Sequence, residues 1–237
     1  MIGLNSAAEA FAAILTKVVN GTVTSGARFV VVPLTDDPNL VWIFAEGSTP
    51  TKRLDFPINV GLNLDQPVRL WLRTWFQVRL DDARDHLAVQ SSVFALVIDE
   101  KYKRPTVRVE YDRGRGNEPD DAIPGAHRRS AAHVQIHGSS EELAYIQGLQ
   151  GDRPLRGLDK FHIPVGGRRF RPSLEDFIEF LWAERLVGSL HNGWQEVLIK
   201  HRSHWLDLQL RAAVRGDPTT AIAQLEAMGY KLSSSLA

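Results

Sequence analysis

The segment VRLWLRTWFQVRL, from Val68 to Leu80, alternates without interruption between apolar and polar or aromatic side chains. Side chains point to opposite faces at each step along a strand, so this period fits an extended chain and no helix. Val68, Leu70, Leu72, Thr74, Phe76, Val78 and Leu80 are expected to face a core. Arg69, Trp71, Arg73, Trp75, Gln77 and Arg79 take the other face. A strand this long needs neighbours, and the surrounding sequence supplies them.

Short β-branched or aromatic runs precede it, at ARFVVVPL, LVWIFA and TKRLDFPI. AVQSSVFALVI (Ala88–Ile98) and TVRVEYDR (Thr106–Arg113) follow it, then AHVQIHG. The links between them are short and hold no helix, which favours antiparallel pairing. Helical periodicity frames this block. Ala7, Phe11, Ile14, Leu15 and Val18 form a stripe after a possible cap at Ser6, and Gly21 is the expected stop. A helix-like SEELAYIQGL follows the last strand. Ser173 with Asp176 then reads as a capping box opening a helix. A longer helix is expected from about Asn192 to Arg215, with Trp194, Val197, Leu198, His201, Trp205, Leu208 and Ala212 on one stripe. Gly216 ends it and Pro218 starts another.

The expected fold class is therefore α+β, a mainly antiparallel sheet in the N-terminal two-thirds with a C-terminal three-helix segment on or beside it. Residues 1–150 would hold the first helix and the sheet, and 151–237 a basic loop and helices, either as a second unit or within the same compact domain. The 237 residues suffice for a substantial core. Absence of cysteine removes disulfides, thiolate zinc sites and a cysteine nucleophile. Lys+Arg and Asp+Glu are both 28, which argues against wholesale wrapping by nucleic acid but allows a local basic patch. The N-terminus lacks a signal-peptide pattern and no apolar run is long enough to cross a bilayer, so a cytoplasmic location without membrane contact is expected.

Four constellations can carry chemistry. In AHVQIHG, His133, Gln135 and His137 share one strand face, with Val134 and Ile136 on the other. Two outward imidazoles can serve as general base and acid, with Tyr111 and Asp112 at the end of the preceding strand as partners. With a carboxylate they can instead bind a metal, and an exposed polar sheet face is the plainer alternative. The second is the Arg69, Trp71, Arg73, Trp75 strip, which suits single-stranded nucleic acid unless the indoles pack under the C-terminal helices. The third is FHIPVGGRRFRPS, where Arg168, Arg169 and Arg171, beside His162, could hold a phosphate near a helix start, or form a solvated basic turn. Fourth, His201 and His204 lie three apart on a helix, and His201, on the apolar stripe, reads as a hydrogen-bonded core histidine. Nucleotide fingerprints, GxSxG and HExxH are absent.

VEYDRG…AHVQIHG followed by FHIPVGGRRFRPSLEDF resembles uncharacterised actinobacterial and prophage proteins, and is distantly similar to small sheet-based toxins of the TumE type. The resemblance covers Val109 to Phe177 at most and implies Asp112, His133 and His137 as a site in growth control or defence. The functional expectation is a protein that binds or acts on a phosphate-bearing ligand, foremost RNA, as a metal-independent ribonuclease or phosphodiesterase with no cofactor. The alternative is a non-enzymatic module that binds nucleic acid or protein, or a homo-oligomer, through the Arg/Trp face.

Overall fold

A computed structural model of the chain describes residues 3–49, 52, 54–58, 70–82, 84–98, 105–114, 131–138, 163–165, 171–188 and 191–230. Residues 115–130 and 139–162, which include the helix-like segment SEELAYIQGL, lie outside the described residues.

The architecture is α+β. Helix α1 (Leu4–Asn20) leads into strands β1 (Phe29–Pro33), β2 (Val41–Ala45), β3 (Phe56–Ile58), β4 (Leu70–Leu80), β5 (Leu87–Ile98), β6 (Pro105–Asp112), β7 (Ala132–Ile136) and β8 (Ile163–Pro164). Helices α2 (Leu174–Ala183), α3 (Trp194–Gly216) and α4 (Pro218–Ala227) follow. Among the described residues the strands form one sheet in the order β1-β2-β4-β5-β6-β7-β8, and β3 pairs with β4. Every pairing is antiparallel. The long strand β4 is shared on one side: its first half pairs with β3 (Phe56 opposite Leu72) and its second with β2 (Ile43 opposite Phe76).

Alternation along β4 sets the two faces. Leu70, Leu72, Phe76 and Val78 enter a core that also takes Phe94, Leu96, Val107, Val109 and Tyr111 from β5 and β6. Leu15, Val18 and Val19 of α1, Phe177, Ile178 and Leu181 of α2, and Trp194 and Leu198 of α3 complete it. Each such large side chain contributes about 1.5–3 kcal/mol when fully buried. A chain of rings crosses this layer: Phe11–Phe76 at 5.1 Å, Phe76–Phe94 at 5.5 Å and Phe94–Phe177 at 6.2 Å between centroids. Helices α2 and α3 thus share one core with the sheet.

Local signals explain most boundaries. Ser173 caps α2 with both capping-box bonds, Asp176 N–H to its Oγ at 3.2 Å and its own N–H to Asp176 Oδ2 at 2.8 Å. Asp217 accepts from Thr220 N–H, and Pro218 opens α4. One expectation fails: α1 starts at Leu4 after Gly3, not at Ser6, and no side chain caps it. Leu4 packs against the core and draws the first turn forward. Gly21 does end α1, and there a Cβ would meet Val197 of α3 at 3.0 Å, so the residue also provides room for helix docking. No helix among the described residues is long and apolar enough to cross a membrane.

Candidate functional site

The helix-covered side of the sheet contains two adjoining cavities. A chamber of about 220 Å³ lies between α1, the middle of β4 and β5, and the starts of α2 and α3, with Phe11, Ile14, Phe76, Phe94, Leu174 and Trp205 among its walls. A larger space of about 1040 Å³ adjoins it along β5 and the outer half of α3. Leu87, Val89, Arg171, Trp205 and Leu208 line both.

Arg171 stands at the junction. It is 7% exposed, and its guanidinium carbon lies 3.8 Å from the Tyr111 ring centre and 4.8 Å from that of Trp205. β6 delivers Tyr111 to this face, α3 delivers Trp205, and the capped start of α2 fixes the backbone beside Arg171. Burial lowers the Arg171 pKa to about 10; the nearby Tyr111 hydroxyl opposes that shift and the Arg113 charge adds to it. The group stays cationic at neutral pH. A guanidinium carries a planar set of N–H donors suited to oxyanions, and it can also pack against aromatic rings.

The larger cavity is rich in positive groups. Arg113 and Arg215 join Arg171 and His86 there, against Asp81 and Asp82. Asp81 is occupied with its own loop, accepting from Asp85 and His86 N–H at 2.8 and 3.1 Å. Burial tends to raise its pKa, but those bonds and the His86 and Arg215 charges hold it below the usual range. In the chamber, Glu175 has a pKa raised by burial, which outweighs the bonds to its own N–H and to the Ser173 hydroxyl. His201 has a pKa lowered by burial and by the charges of Lys200, Lys17 and His204. Ser92, buried on β5, Ser173 and His204 are further polar wall residues.

The sites expected from the sequence are redistributed. Tyr111 and Arg171 were assigned to separate groups, and the fold stacks them. The expected outward histidine pair is corrected. His133 does lie opposite the core-facing side chains, but it is 1% exposed. Its Nε2 lies 3.1 Å from Glu110 Oε2, because antiparallel register sets Glu110 directly beside it. His137 is exposed beyond the end of β7, and its N–H donates to Thr106 O at 2.8 Å. Ile136, expected in the core, is 41% exposed because β7 ends there, near the sheet margin. Asp112 lies on the His133 side of β6 and accepts from Gly114 N–H at 3.0 Å.

The strip on β4 is also engaged. Arg73 makes a fork to Asp55, with Nη2–Oδ2 at 2.8 Å and Nε–Oδ1 at 2.9 Å. Trp75 packs on Trp42 at 5.0 Å. The alternative of Trp rings packed beneath the C-terminal helices is corrected as well, since those helices join the opposite face. Along this second face Arg108 contacts both Glu110 (3.3 Å) and Gln135 (3.0 Å), extending the network to His133. Arg69, His162, Arg168 and Arg169 lie outside the described residues. Trp205, Arg113, Arg215 and Glu175 were not singled out as binding residues. Trp205 read as one member of an apolar stripe, and nothing in the local sequence marks the others. His201, expected in the core, is half-buried in the chamber wall.

No group of three or more His, Asp or Glu among the described residues could hold a metal ion. Comparison of the chain with family models, with curated proteins and with solved structures found no match.

Proposed function

We propose that this protein binds a phosphate-bearing ligand at the Arg171 junction. The observation that carries this reading is the stacked, buried Arg171 guanidinium in the wall of a roughly 1040 Å³ cavity that Arg113 and Arg215 also line. A buried cation already in contact with two rings loses little conformational freedom when an oxyanion arrives, so more of the interaction appears as affinity. The large space accommodates a phosphate with attached groups, and the Trp205 ring offers a surface for a flat one. The ligand class keeps the sequence expectation, while the site moves from the His133–His137 strand to the opposite face of the sheet. Ser92, Ser173, Glu175, His201 and His204 are polar groups of the chamber wall, and binding alone is the simpler reading.

Calorimetric titration with inorganic phosphate and with a short 5′-phosphorylated RNA tests it. Binding of either that weakens at least about tenfold in Arg171→Met supports the site, since a charge-assisted hydrogen bond is worth about 1.5–3 kcal/mol. RNA binding that ignores Arg171→Met and collapses in Trp71→Ala would contradict it and favour the β4 strip.

A further inference from the structure

The apolar chamber sits directly behind the cationic junction, and five residues line both spaces. Three aromatic rings from separate elements pack together in its wall, Phe11 edge-on to Phe76 and Phe94 tilted against Phe76, so the space is bounded by side chains that hold one another in place. Trp205 covers the passage on one side, with its ring turned toward Arg171. An apolar volume joined to a fixed cation matches a ligand with an anionic head and an apolar body.

Resting on the reading above, we infer that the ligand is an amphiphilic phosphate monoester, its phosphate at Arg171 and its short chain or ring in the chamber. Size narrows the class. A dry cavity of about 150 Å³ lined by apolar side chains takes a benzene. At about 220 Å³ the chamber suits a substituted ring or a chain of several carbons, not a long acyl tail. Burial raises the Glu175 pKa, so the chamber disfavours the charged form of this side chain, as an apolar surrounding does.

The test is a series of alkyl phosphates from methyl to dodecyl, with phenyl phosphate and inorganic phosphate, read by tryptophan fluorescence and calorimetry on the full chain. Affinity is expected to rise about fourfold per buried methylene and then level off once the chamber is full. Ala7→Leu, which adds volume to the chamber wall, should shorten the chain at which the plateau begins while leaving inorganic phosphate binding unchanged. If every ester binds as inorganic phosphate does, the amphiphile inference is overturned and the phosphate site stands. If neither phosphate nor any ester binds, the phosphate site itself fails. A rise that continues to dodecyl without a plateau also overturns the inference, because it reports nonspecific surface adsorption.

Discussion

The guanidinium carbon of Arg171 lies 3.8 Å from the ring centre of Tyr111 and 4.8 Å from that of Trp205. The three come from the lead-in to α2, from β6 and from α3, so the stack also ties helix to sheet. Cation–π contacts contribute about 0.5–2 kcal/mol each, more when desolvated. Trp205→Ala is therefore expected to lower stability by about 1–2 kcal/mol in chemical denaturation and to weaken phosphate binding. Trp205→Phe should restore most of both. An unchanged denaturation midpoint in Trp205→Ala would show that the stack contributes nothing.

Glu175 gives a pH signature with a definite sign. Burial raises its folded pKa above 4.5. Below that value both folded and unfolded chains hold the proton and the group is neutral to stability. As pH rises, the unfolded chain ionises first, so stability falls up to the raised folded pKa and stays lower beyond it. Glu175→Gln removes this penalty. The variant should melt higher than the native chain near neutral pH, with the gap closing below 4.5. An equal gap at all pH values would assign the effect to packing.

The two histidines of β7 should separate cleanly. His133 is sealed in and bonded to Glu110, so His133→Ala is expected to cost about 1–3 kcal/mol of stability, with phosphate affinity retained in the folded fraction. His137 is exposed, and His137→Ala should stay within about 0.5 kcal/mol. Loss of binding in either variant without loss of stability would return the site to this strand.

The fold was largely legible because its signals are local. Period-two alternation fixed β4 and its faces, Ser173 with Asp176 fixed the start of α2, and Gly216 with Pro218 fixed the break between α3 and α4. The site was legible only in part. Tyr111 and Arg171 were each recognised as chemically apt, but their contact spans about sixty positions of chain and depends on how α2 docks. The His133 error has a related cause. Alternation shows which residues share a face, not whether the second face is covered, and Ala95 at 0% exposure shows that the sheet centre is buried there too. Cross-strand register, which put Glu110 beside His133, is equally silent in a single sequence.

On that second face the Arg73–Asp55 fork predicts a structural role. Asp55 and Arg73 are both mostly shielded, and breaking a partly buried pair leaves its partner charge poorly solvated. Asp55→Asn and Arg73→Gln should each destabilise by about 1–3 kcal/mol, and the double variant should cost less than their sum. Strict additivity in that cycle would show the pair is not coupled.

Arginine side-chain NMR tests the central claim most directly. The Nε–H resonance that vanishes in Arg171→Met identifies Arg171. On titration with inorganic phosphate, that resonance should shift and saturate with the dissociation constant found by calorimetry. A titration in which calorimetry reports binding while the Arg171 resonance stays in place would contradict the assignment of the site.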